Sequence, residues 1–61
     1  MNTYKVLAML IYKDEKKVVT TNIVKAENKS EAKKKMIERY KRSPNVSEIL
    51  INEETDVIKL L

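Results

Sequence analysis

Thr3-Tyr4-Lys5-Val6-Leu7-Ala8-Met9-Leu10-Ile11-Tyr12 is the stretch on which the fold turns. Read as extended chain, it puts Tyr4, Val6, Ala8, Leu10 and Tyr12 on one side and Leu7, Met9 and Ile11 on the other, because side chains alternate along a strand. Both sides are then apolar. Leucine, alanine and methionine also favour helix, but this segment lacks an N-cap and a polar face. The charged run Lys13-Asp14-Glu15-Lys16-Lys17 that follows has the composition of a hairpin turn. The stretch therefore reads as a strand.

Residues 18–26 are β-branched at Val18, Val19, Thr20, Thr21, Ile23 and Val24, which predicts a second strand folded back on the first. In Asn28-Lys29-Ser30-Glu31, the asparagine can accept from a first-turn N–H and the glutamate can reach back, a capping box that opens a helix. Ala32, Met36, Ile37 and Tyr40 form its apolar stripe. The helix must stop near Arg42, because the residue before Pro44 is pushed out of helical geometry. Residues 46–52 read as a third strand, 53–56 as a turn and 57–61 as a short fourth strand. The expectation is one α+β domain over residues 1–61, a two-layer ββαββ sandwich with one helix on a three- to four-stranded, mainly antiparallel sheet.

One helix covers one face of such a sheet, and a 61-residue chain has little else with which to cover the other. A homodimer is therefore expected, with Leu7, Met9 and Ile11, or else the even-numbered set, at the interface between copies. The competing arrangement wraps the loop and C-terminal tail over that face within one chain.

The chain contains no glycine, histidine or cysteine. It thus lacks the imidazole used for proton transfer near neutral pH, the thiolate nucleophile, the glycine-rich phosphate loop and the softer metal ligands. The expectation is a protein that is not an enzyme and uses no cofactor, metal or small-molecule substrate. Asn52-Glu53-Glu54-Thr55-Asp56 offers oxygen ligands, yet a calcium loop of the helix–loop–helix type needs its glycine and about twelve residues, so a polar turn is the better reading. Ser30 and Ser43 read as helix-end residues.

Net charge is +4, unevenly spread: residues 1–42 carry twelve basic and five acidic side chains, residues 43–61 one basic and four acidic. The basic excess is densest on the helix. Lys34, Lys35, Arg39, Lys41 and Arg42 fall away from its apolar stripe, where they suit contact with a carboxylate-rich protein or with phosphates. The neutral explanation is a solvated helix face supported by the pairs Glu31–Lys35 and Glu38–Arg42. Nucleic acid is thus an alternative partner, through backbone contacts from the helix over residues 29–42. A base-stacking platform finds only Tyr4, Tyr12 and Tyr40. The apolar run of residues 6–12 is far shorter than the roughly 20 residues of a membrane span and leads into no cleavage site, so a cytoplasmic protein with no membrane partner is expected.

The junction Val24-Lys25-Ala26-Glu27-Asn28-Lys29-Ser30-Glu31-Ala32, within residues 18–37, resembles two groups. One is the short, lysine-rich accessory and anti-host proteins of bacteriophages that infect low-GC bacteria. The other is archaeal ribosomal protein LX, from which this chain departs in lacking glycine and in its acidic C-terminal part. The phage resemblance implies a protein that binds and inhibits or regulates a host protein, in the cytoplasm of the bacterial host.

Overall fold

In the computed structural model, which describes residues 1–60, the strand read from residues 3–12 is β1 (Asn2–Tyr12). It is followed by β2 (Lys17–Ala26), α1 (Lys29–Lys41), β3 (Val46–Leu50), the single-turn helix α2 (Glu53–Asp56) and β4 (Val57–Lys59). The α+β, ββαββ arrangement is as the sequence predicts. Leu61, the last residue of the expected fourth strand, lies outside the described residues.

β1 is the centre of the sheet and every other strand runs antiparallel to it. β2 pairs along its whole length, from Asn2 opposite Ala26 to Ile11 opposite Lys17. The other side of β1 is shared end to end by β3, opposite residues 9–12, and β4, opposite residues 4–6. Met9 faces Leu50 and Val6 faces Val57, so three steps along β1 are matched by seven along its neighbour. The four extra residues are α2. Leu50 and Ile58 nonetheless emerge on the same face of the sheet, and Ile51 and Val57 on the face of the core.

Residues 53–56, expected as a turn, close instead into one helical turn. The side chain of Asn52 accepts from the Glu54 N–H at 3.0 Å, while its own N–H donates to the Asp56 carboxylate at 2.9 Å. This clip withdraws Ile51 and Asn52 from the ladder, so β3 ends at Leu50 rather than at Asn52.

α1 begins as its capping residues require. Asn28 is extended and its Oδ1 accepts from the Glu31 N–H at 2.8 Å, while Glu31 reaches back to the N–H of Glu27, one residue before the cap. Ala32 and Met36 are fully buried, with Ile37 and Tyr40 packed at the margin of the core. They sit on Tyr4, Val6, Ala8 and Leu10, all at most 4% exposed. The even-numbered side of β1 is thus the one that faces the helix.

The hairpin between β1 and β2 turns through Lys13, Asp14 and Glu15, with Glu15 at a φ of 71°. The Tyr12 carbonyl accepts from the Glu15 N–H at 2.9 Å, and Asp14 Oδ1 accepts from the Lys16 N–H at 3.1 Å. The left-handed conformation costs a residue with a Cβ about 1–2 kcal/mol, and asparagine and glycine bear it best. Glu15→Asn should therefore stabilise the chain by up to about 1 kcal/mol. Urea unfolding should show this as a higher midpoint at unchanged slope.

Candidate interaction surface

The registers of the three ladders fix what the sheet shows on the side away from α1. A central row runs Val19, Met9, Leu50 across β2, β1 and β3. On one side of it lie Thr21 and Leu7, then Ile23, Lys5 and Ile58; on the other lie Lys17, Ile11 and Glu48. Thr3 and Lys25 close the far end. Leu7, Met9 and Ile11 are therefore together on this surface, with Leu7 and Ile11 half-buried and Met9 exposed.

No described segment wraps this face. Val19 is 62% exposed and Ile23 58%, and residues 57–59 pair with β1 as β4 instead of folding across the face. The arrangement in which the chain's own tail covers the face is thus not the one adopted. The sequence held a clue to which side would be left open. Lys5 belongs to the odd-numbered set, and turning that set towards α1 would bury an ammonium among apolar side chains.

The charged groups on this face are lopsided. Lys5, Lys17 and Lys25 surround or interrupt the apolar centre, and Glu48 is the one carboxylate among them. All four are exposed. The ion pairs among the described residues lie elsewhere, at Lys16–Asp14 (3.9 Å) and Lys35–Glu31 (3.3 Å).

The basic residues of α1 occupy the opposite side of the molecule. Lys34, Lys35, Arg39, Lys41 and Arg42 are all exposed, but they are not equivalent. Lys35 lies over β2, where its Nζ donates to the Lys25 carbonyl at 2.7 Å as well as meeting Glu31. Its charge is engaged in fastening the helix to the sheet. The other four have no carboxylate partner within 4 Å among the described residues.

All three tyrosines lie on the helix side of the sheet. Tyr4 is buried and Tyr12 packs against the core, so the open face presents no aromatic ring on which a base could stack. Tyr40 joins α1 to β2: its oxygen accepts from Asn22 Nδ2 at 2.6 Å and shares a hydrogen bond with the Thr20 hydroxyl at 3.2 Å. The Thr20 bond holds its phenol below the ordinary value of 10.0, with Asn22 and Arg39 acting the same way and partial burial opposing them. Asn52 and Asp56, candidates for oxygen ligation, spend their side chains on the backbone of α2.

Because Tyr40 ionises more readily in the folded chain, phenolate formation favours folding. That contribution is present above pH 10 and is lost as pH falls through the folded-state pKa. Thr20→Val should move the phenolate absorbance titration of Tyr40 upward. Tyr40→Phe, which leaves Thr20 and Asn22 without this partner, should cost about 1–2 kcal/mol at neutral pH in denaturant unfolding.

No helix among the described residues is long and apolar enough to cross a membrane. No protein-family model, curated protein or solved structure matches the chain.

Proposed function

We propose that this chain is a non-catalytic interaction module that binds another protein through its open sheet face, the partner presenting an apolar patch bordered by carboxylates. The observation that carries this reading is the face itself. Val19, Ile23, Met9, Leu50 and Ile58 are each more than a third exposed and are spread over the four strands of one face, with Lys5 between Ile23 and Ile58 and with Lys17 and Lys25 towards its ends. Contiguous apolar surface with a polar margin is what protein interfaces have at their centre and rim. Three lysines against one glutamate select an acidic margin opposite.

The same charge pattern makes a second copy a poor occupant of this face. Among the described residues each copy presents Lys5, Lys17 and Lys25 against Glu48 on this face, so two stacked faces carry an excess of like charge. A homodimer through Leu7, Met9 and Ile11 is therefore not the arrangement we favour for this surface. A host protein that is inhibited or regulated, as the resemblance to phage proteins implies, belongs to the class of partner that fits it. This reading takes the working place of the protein to be the cytoplasm. The absence of histidine, cysteine and glycine supports a role by contact rather than by catalysis.

A second reading rests on a separate observation, the four helix cations Lys34, Arg39, Lys41 and Arg42 that have no ion-pair partner among the described residues. It takes them as contacts to a nucleic-acid backbone. Such binding weakens with salt by about 0.9 log units per log unit of salt for each phosphate neutralised.

The two readings separate on paired variants. A protein captured stoichiometrically from a bacterial lysate by the wild-type chain should bind roughly 100-fold more weakly to Met9→Glu/Leu50→Glu, and nearly unchanged to Lys34→Glu/Arg42→Glu. Both altered pairs are exposed, and circular dichroism should show both variants folded. Capture of no stoichiometric protein, or loss of binding only in the helix variant, would overturn the leading reading. In the second case, duplex DNA binding with the salt slope above would establish the other.

A further inference from the structure

The two edges of this sheet are unlike. On one, β3 has five residues and β4 three, with α2 interrupting them, so the edge is short and broken. On the other, β2 runs for ten residues without proline, glycine or bulge, and no strand of the described chain pairs with its outer side. Long regular edges are templates for pairing with another chain, and proteins ordinarily blunt them.

Which backbone groups this edge presents follows from the hydrogen bonds. Thr3 and Lys13 of the odd-numbered set bond away from β2, to Leu60 and Asn45, whereas the Tyr12 N–H bonds towards β2, to Lys16. Even-numbered residues of β1 therefore exchange bonds with even-numbered residues of β2, and the N–H and C=O groups of Val19, Thr21 and Ile23 point outward. The outward carbonyl of Lys25, held by Lys35 at 2.7 Å, agrees with this alternation.

The sequence along the edge reads nearly the same in both directions. In Lys17-Val18-Val19-Thr20-Thr21-Asn22-Ile23-Val24-Lys25, the middle residue is Thr21, and residues equidistant from it match in kind. Val18 matches Val24, Val19 matches Ile23, Thr20 matches Asn22 and Lys17 matches Lys25. An antiparallel copy turned about a two-fold axis at Thr21 would thus put β-branched side chains opposite β-branched ones and polar opposite polar.

We infer that two copies of this chain pair through β2, antiparallel and centred on Thr21, to form one continuous sheet across the dimer. The outward groups of Val19, Thr21 and Ile23 meet those of Ile23, Thr21 and Val19 on the second copy, giving about six inter-chain hydrogen bonds. α1 contacts strands on both sides of β1 as well as β1 itself. The two β1 strands of the dimer are three strand spacings, about 14 Å, apart, so helices lying over them have axes farther apart than the usual 8–10 Å of helix contact. The interface is isologous, as two-fold dimers require. It leaves the open face free, and so stands independently of what binds there. Its weak points are the two ends, where Lys17 opposes Lys25 of the other copy, and these make the pairing stronger as salt rises.

Light scattering after size exclusion should give twice the 7.1 kDa chain mass, falling towards one chain on dilution. One chain mass at every concentration overturns the inference. Thr21→Pro removes an outward N–H and no bond to β1, and should yield a folded monomer; an unchanged dimer mass counts against the inference. Should that variant fail to fold, cysteine substitution still decides. The native chain has no cysteine, and hydrogen-bonded antiparallel neighbours are about 5.5 Å apart at Cα, within disulfide reach. Oxidised Thr21→Cys should become a covalent dimer, and oxidised Met9→Cys should not; the reverse result would mean that the faces stack instead. Lys17→Glu replaces both like-charge pairs by opposite ones and should tighten the dimer about tenfold. Weaker association of that variant would contradict the register.

Discussion

Everything in this structure depends on β1 being the shared partner of all three other strands. A strand in the middle of a sheet must have both rows of backbone groups paired and both faces of side chains accounted for. The chain meets the first demand fully on one side, with β2, and piecewise on the other, with β3 and β4. It meets the second demand on one face only, because a single thirteen-residue helix covers one layer. The tail, which could have served the uncovered face, is used to complete the ladder. Backbone pairing takes precedence over burial of the second face, and the surface proposed for partner binding is the result.

The core that this arrangement encloses is small and apolar. Its fully buried members, Val6, Ala26, Ala32, Met36 and Val57, come from four different elements, and no buried polar group lies among them. Polar contacts sit at the margin, where Tyr40 meets Thr20 and Asn22, and where Lys35 meets Lys25. These contacts hold the side of α1 that lies over β2. The outer edge of that strand is thus engaged by the helix at the Lys25 carbonyl and is left without a strand partner from Val19 to Ile23.

Much of this was legible from residue patterns. Alternation identified β1, β-branching identified β2, and Asn28 with Glu31 fixed the start of α1 to within a residue. Each depends on neighbours close in sequence, so each survives without knowledge of the rest of the fold. The face of β1 that meets the helix was not settled by hydrophobicity, because both faces are apolar. Lys5 decides it, through the cost of burying one ammonium rather than the gain of burying several methyls. α2 was missed because four residues are too short for any periodic pattern. Its signature was the Asn52–Asp56 spacing, which also fits an ordinary turn. The sequence symmetry of β2 could be read along the chain, but it acquires meaning only once β2 is known to be an edge strand and its odd-numbered groups to point outward.

The single turn of α2 also has a mechanical meaning. Four residues coiled at about 1.5 Å each would span about 3.3 Å each if drawn straight, so this turn holds roughly 7 Å of chain in reserve. It is closed by the side chains of one asparagine and one aspartate, both on the surface side of the core. Uncoiling it would slacken the join between β3 and β4 while leaving the ten-residue ladder between β1 and β2 untouched. β4 is thus tied to β3 by a coil rather than a straight tether, and its place beside β1 is set by its own ladder and by the burial of Val57.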